Sequence, residues 1–379
     1  MFHYFDNAAT TKVRPEAAQA AFEAMTQNWG NPSSVYGFGS QAAVMVKGFR
    51  TDVAKAMGCL PEEIFFTSCG TESDNWAIQA AVERNRRRGK HIITTAIEHA
   101  AVLEPCKQLE RQGYEVTYLQ PDRQGQISSQ QLEQALRPDT ILVSMMLVNN
   151  ELGTILPVKE ASQAIRRSGC PALLHCDGVQ GFLKVPFTPE ELGVDLLSIS
   201  GHKIHAPKGV GALYVRKGLS ISPLIRGGGQ EFGLRSGTEA TGQLAALAAA
   251  ARLGADTMEE DMARMAALRT QVAQRLTEEV PGLKVLSPDG APHILAVSMP
   301  GYKSEVVVRY LSDRGVYLSS GSACHKGKPS HVFAALKLPK PELDGALRIS
   351  FSQETSGEDV DALVAGLAQA GKELFTSLS

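Results

Sequence analysis

The sequence predicts an α/β protein: a large unit with a mostly parallel seven-stranded sheet flanked by helices, joined to a smaller α+β unit. Three observations carry this. Short apolar runs alternate with helical patterns through the first two thirds of the chain. The pattern changes after about Gly254, where a long helix introduces shorter strands and helices. At 379 residues the chain can bury more than one core.

The seven strand-like runs are Ile64–Thr67, His91–Thr95, Glu115–Leu119, Ile141–Val148, Ala172–Cys176, Asp195–Ile199 and Gly211–Val215. Their Ile, Val, Leu, Phe and Thr content suits buried strands. Helical patterns at Glu72–Arg88, Val102–Gln112, Ser129–Leu136 and Val158–Ser168 fall between them. A long helix is expected over Thr257–Val280, opened by a Thr257/Glu260 capping box and stopped by Pro281-Gly282. Beyond it, Ile294–Ser298, Val316–Ser319 and Leu347–Phe351 read as strands, and Glu305–Arg314 and Glu358–Leu374 as helices. The expected division is 11–256 for the large unit, with 1–10 and 257–379 forming the small one.

A formal net charge of -2 gives no reason to expect a nucleic-acid partner. No run approaches the roughly 20 apolar residues of a membrane span. Met1 leads into Phe2, His3, Tyr4 and Asp6 without a basic start or apolar run, so a cytoplasmic location is expected. The six cysteines form no C-x-x-C pair, which argues against a zinc ribbon or a self-contained iron–sulfur ligand set. Their scatter suggests reduced thiols rather than a disulfide framework.

Ligands of open α/β sheets bind at the carboxyl ends of the strands. The residues just past successive strands here are Ser68-Cys69-Gly70-Thr71-Glu72, Glu98-His99, Asn149-Asn150-Glu151, Asp177 with Gln180, and Ser200-Gly201-His202-Lys203. Singly, each has an ordinary explanation as a cap, turn or solvated charge. Together, on parallel strands, they place an acid, imidazoles, amides, hydroxyls and a lysine along one edge. The Ser68–Thr71 turn opens a helix and suits a phosphate. It lacks the spacing of a nucleotide P-loop, and no G-x-G-x-x-G precedes a helix. A lysine for a Schiff base and an aspartate for a pyridinium nitrogen are what pyridoxal 5'-phosphate requires. Gln180 could donate to the ring hydroxyl oxygen, and His99 could stack on the ring.

At these residues the chain resembles the cysteine desulfurases of pyridoxal-phosphate fold type I, the NifS/IscS-like group of the class V aminotransferase family. The resemblance rests on ordered segments along nearly the whole chain. These include Phe5-Asp6-Asn7-Ala8-Ala9-Thr10-Thr11, Asn31-Pro32-Ser33-Ser34, Thr67–Asn75, Glu98-His99, Asn149-Asn150-Glu151, His175–Gln180 and Ser200–Lys203. Gly227–Glu231, Arg235–Thr238, Ser319–Cys324 and Arg348-Ile349-Ser350 complete the set. The resemblance implies that Lys203 binds the cofactor and moves protons at the substrate α-carbon. It implies that His99 stacks and assists proton transfer, and that Gly70, Thr71, Ser200 and His202 hold the phosphate. Thr238 would reach the phosphate of the neighbouring subunit in a homodimer. Arg348, with Asn150 nearby, would grip the carboxylate of L-cysteine. Cys324 would take the substrate sulfur as a persulfide, release alanine and pass the sulfur to an acceptor. Iron–sulfur scaffold proteins and tRNA-thiolation enzymes are the acceptors the family suggests. The polar, cationic setting of Cys324, followed by His325, Lys326 and Lys328, favours its thiolate.

Two departures from the family pattern stand out: a shorter segment after Cys324, and Cys69 where glycine is common. Cys69 reads as a small filler. The alternative activity is that of a selenocysteine lyase or another pyridoxal-phosphate enzyme of the same family.

Overall fold

The computed structural model describes residues 2–320 and 330–376. In chain order the first part holds β1 (His3–Tyr4), α1 (Pro15–Thr26), α2 (Gly37–Met57), β2 (Ile64–Thr67), α3 (Gly70–Asn85), β3 (His91–Thr95), α4 (Ala100–Arg111) and β4 (Glu115–Leu119). There follow α5 (Ser129–Ala135), β5 (Thr140–Ser144), α6 (Val158–Ser168), β6 (Leu173–Asp177), α7 (Pro189–Leu192), β7 (Leu196–Ser200) and β8 (Gly211–Val215). The second part holds α8 (Thr241–Glu279), β9 (Lys284–Val285), β10 (Ile294–Ser298), α9 (Ser304–Ser312), β11 (Val316–Tyr317), α10 (His331–Ala335), α11 (Lys340–Asp344), β12 (Ala346–Ser350) and α12 (Gly357–Glu373).

The central sheet has seven strands in the order β2-β8-β7-β6-β5-β3-β4. Only β8 runs against the others, and it is antiparallel to both of its neighbours. Two reversals restore the direction of β2, so its carboxyl end shares an edge with those of β3, β5, β6 and β7. Thr67 and Ser200 face Gly211 from opposite sides. A Cβ on Gly211 would lie 2.7 Å from the Ile199 oxygen and 2.9 Å from the Cys69 carbonyl carbon, so glycine permits this close approach.

The apolar runs are continuous because the sheet is covered on both faces. Ile92, Leu142, Leu196 and Leu213 pack with Trp76, Ile78, Val102 and Cys106 of α3 and α4. Their neighbours Ile93, Val143 and Leu197 face Val53, Ala161 and Ala246 of α2, α6 and α8. A separate core gathers Phe5, Met265, Val272, Leu276, Leu295, Leu347, Ile349 and Leu363 around the sheet β12-β10-β9.

Four expectations need correction. The long helix begins at Thr241, not Thr257; the Thr257 hydroxyl donates to Leu253 O at 3.2 Å and to Asp261 Oδ2 at 2.7 Å, inside the helix. Residues Leu244–Ala251 are all buried, so this half has no polar face to reveal its period. The strand expected at Ile141–Val148 ends at Ser144, after which the buried chain keeps, with β6, the bonds of Met145 N to His175 O at 3.0 Å and Leu147 N to Asp177 O at 2.9 Å. The strand expected at Val316–Ser319 shortens to Val316–Tyr317, paired in parallel with His3–Tyr4. Finally, α1 and α2 were not anticipated, and both pack against α8.

Candidate active site

The end of β6 provides the floor of the site. Asp177 closes that strand and accepts the Val179 N–H at 2.9 Å. Two residues earlier, and so on the same face, His175 Nδ1 meets Ser144 Oγ at 2.9 Å and Nε2 meets Ser198 Oγ at 3.0 Å. Asp74 of α3 brings Oδ1 within 3.4 Å of His175 Nε2. Burial pushes both carboxyls well above the usual range, and Asp74 pushes Asp177 further. Burial also lowers His175 to about 4, so this imidazole is neutral.

Lys203 lies in the turn that follows β7. Its Nζ donates to Ala8 O at 2.8 Å and Ala9 O at 2.7 Å. Burial, followed by Arg348, lowers its pKa to about 8, while Asp6 and Asp177 pull the other way. The Gln180 amide donates to the same Ala8 oxygen at 2.8 Å, which fixes its orientation. Its Oε1 therefore accepts from His293 Nε2 at 3.2 Å. One amide hydrogen of Gln180 remains for a ligand.

At the β2 end, Cys69 precedes α3 and makes no side-chain cap. A Cβ on Gly70 would meet Val179 Cγ2 at 2.8 Å and Ser200 Cβ at 3.4 Å, so glycine keeps this corner open. Glu72 in that first turn would oppose an anion, but Arg235 holds it bidentately at 2.8 and 3.1 Å. His202 Nδ1 meets Thr10 Oγ1 at 3.2 Å. Burial, then Lys203, lowers His202 to about 4. His99 caps α4 through Nδ1, which accepts the Ala101 N–H at 3.1 Å, so the neutral ring carries its proton on Nε2. Burial holds its pKa below the ordinary value.

At the opposite wall, Arg348 of β12 donates to Asn150 O at 2.9 Å and Asp6 Oδ1 at 2.7 Å. Its Nε is buried and has no partner among the described residues. A cavity of about 670 Å³ is bounded by residues from all these groups, among them Gly70, His99, Asn150, Asp177, Lys203 and Arg348. Thr71, Gln180, Ser200 and His202 also line it. Thr238 is exposed and lies outside this cavity. Cys324 lies outside the described residues. A larger cavity of about 920 Å³ opens at the amino ends of β6 and β7 near Cys59, Asp195 and Arg216. It holds none of the predicted residues, and its Arg216 already pairs with Asp195 at 2.8 Å.

The residues fit pyridoxal phosphate. A buried acid faces a cavity that also holds a lysine of depressed pKa, an imidazole beside them and a glycine-lined helix start. Sequence reasoning missed four contributors: Asp6, Asp74, His293 and His331. His331 lines the cavity and donates from Nε2 to Glu98 O at 2.9 Å. Asp6 and Asp74 lie inside segments that carried the family resemblance, which was the available signal. His293 and His331 lie in no such segment.

The sequence profile of the family described as aminotransferase class-V matches residues 3–363. A cysteine desulfurase IscS of Methanosarcina thermophila is 42% identical over 368 residues, covering 95% of this chain and 90% of that protein. A cysteine desulfurase of Trichormus azollae is 42% identical over 365 residues, with the same coverage of 95% and 90%. A solved NifS-like protein superposes with a TM-score of 0.93 at 38% identity, covering 99% of this chain and 100% of that one.

Proposed function

Given that the chain belongs to the class-V aminotransferase family and is a pyridoxal-phosphate-dependent cysteine desulfurase, we propose how its own residues divide the reaction. Pyridoxal phosphate, when bound, supplies an electron sink for negative charge at the substrate α-carbon. Gly70, Thr71, Ser200 and His202 would hold its phosphate, Asp177 would pair with its ring nitrogen, Gln180 would donate to its ring oxygen, His99 would lie against the ring, and Lys203 would be its covalent anchor.

Arg348 and Asn150 bind the carboxylate of L-cysteine. Lys203, partly neutral near pH 8, then takes the α-proton. The Cys324 thiolate attacks the substrate sulfur. An S–S bond forms, the Cβ–S bond breaks, and its electron pair stays with the carbon, which gains a proton. Cys324 is left as the oxidised persulfide, and alanine is the reduced product. The single observation that carries this reading is the half-buried Lys203 amine sharing one cavity with Asp177, His99 and Arg348.

The protein acts as a homodimer in which Thr238 completes the neighbouring site. The exposed apolar side chains of Phe22 and Met25 on α1, Val44 on α2, and Trp29, Val35 and Tyr36 in the segment between them support a self-association face. The second core supports residues 1–10 and 257–379 as a smaller unit. The acceptor is a partner protein, of the iron–sulfur scaffold or tRNA-thiolation kind. Five described cysteines, all free, support a reducing, cytoplasmic setting.

Two substitutions test the assignment. Lys203→Ala should abolish the visible absorbance of the bound cofactor; normal absorbance would remove Lys203 as its anchor. Cys324→Ser should keep that absorbance and lose sulfide release from L-cysteine with a reductant. Undiminished release would sink the persulfide step.

A further inference from the structure

The side chain that aims Arg348 comes from the far end of the chain. Residues 5–8 lie along the end of β12: Ser350 N donates to Phe5 O at 2.7 Å, Asn7 Nδ2 to Ser350 O at 3.0 Å, and Ala8 N to Ser350 Oγ at 2.9 Å. Asp6 and Ser350 form a parallel bridge. Ser350 is two residues beyond Arg348, so both lie on one face of the strand. This strap brings Asp6 Oδ1 to Arg348 Nη2 at 2.7 Å, while the Asn150 carbonyl holds Nη1 at 2.9 Å.

A guanidinium held at both terminal nitrogens cannot rotate in its plane. Arg348 lines the cavity, while its third nitrogen, Nε, is buried and has no partner among the described residues. Each terminal nitrogen carries a second hydrogen beyond the bonds to Asp6 and Asn150, and these are the donors a substrate carboxylate in the cavity would meet. Asp6 itself does not line the cavity. It therefore offsets the arginine charge and fixes its direction without occupying the substrate's place.

We propose that Asp6 is a positioning residue that orients the Arg348 fork toward the carboxylate of the amino-acid substrate. The proposal rests on the reading of Arg348 as the carboxylate ligand. The same strap offers the Ala8 and Ala9 carbonyls to Lys203, so the two groups that handle substrate charge and substrate proton share one support.

The test compares L-alanine, the product, with L-alanine methyl ester, which lacks the carboxylate charge. Binding of each to cofactor-loaded protein is read from the change in visible absorbance. Asp6→Ala should weaken L-alanine about tenfold, a typical loss for a misdirected charged hydrogen bond, and leave the ester within about twofold. Asp6→Glu keeps the charge pair, so it guards against misfolding of the alanine variant. Its extra methylene displaces the guanidinium, and L-alanine should weaken about threefold or more by the same argument. Unchanged L-alanine binding in either variant, or equal weakening of acid and ester, would overturn the proposal. Arg348→Gln separates the underlying reading: if it binds L-alanine as tightly as the parent protein, the carboxylate role of Arg348 fails whatever Asp6 does.

Discussion

At the scale of single residues, the site works by setting charge in a buried space. Lys203 is the clearest case. Burial and Arg348 bring its pKa to about 8, against the pull of Asp6 and Asp177. Below that value the ammonium predominates and cannot attack an aldehyde; above it the neutral amine can. The rate at which added pyridoxal phosphate attaches to cofactor-free protein should therefore rise with pH and level off above about 8. Arg348→Gln removes a cation that lowers the pKa, so the rising limb should move to higher pH. Rapid-mixing absorbance checks this, and an unmoved limb would show that burial alone sets the amine. Lys203, Asp177, His99 and Gln180 were legible in the sequence because each follows a strand-like run, where ligands of open sheets bind. Asp6 was legible only as part of a motif. Its partner Arg348 stands 342 positions away, and no local pattern encodes that pairing.

At the scale of elements, the first turn of α3 is the proposed phosphate site. Cys69 gives it no side-chain cap, and Gly70 leaves room where a Cβ would strike Val179 and approach Ser200. Gly70→Ala should shift this turn away from β6 and β7. Its stability cost should be about 1–3 kcal/mol, as for other overpacked sites. Cofactor affinity should fall about tenfold, the cost of one misplaced charge-assisted hydrogen bond. Titration of cofactor-free protein measures the second and thermal unfolding the first. Retained affinity would take this turn out of the phosphate site. The same scale shows where pattern reading stopped. All the sheet strands but the edge strand β4 are buried along their whole length and rich in apolar residues, which made them visible. The first half of α8 was missed because burial on all sides leaves an alanine-rich stretch without amphipathic period.

At the scale of the whole molecule, α8 runs from the main core, at Leu244–Ala251, to the second core, at Met265, Val272 and Leu276. Arg348 reaches the cavity from that second core's sheet, so the site closes between the two. Thr238 is exposed, as a residue serving a neighbouring subunit must be in one chain alone. If it acts across a dimer, mixing Lys203→Ala with Thr238→Ala protein under conditions of subunit exchange should restore activity. Each mixed dimer then holds one site with both native residues. Equal activity in the mixture and the separate variants would place Thr238 in its own chain's site. The sequence by itself determined the sheet and the polar residues that line the cavity at its carboxyl edge, because strand burial and strand-end chemistry are local properties of a chain. Only the tertiary structure decided what surrounds them. The reversal at β8, the Asp74–His175 network beneath Asp177 and the Asp6 hold on Arg348 all depend on residues brought together across long stretches of chain, which local spacing does not record.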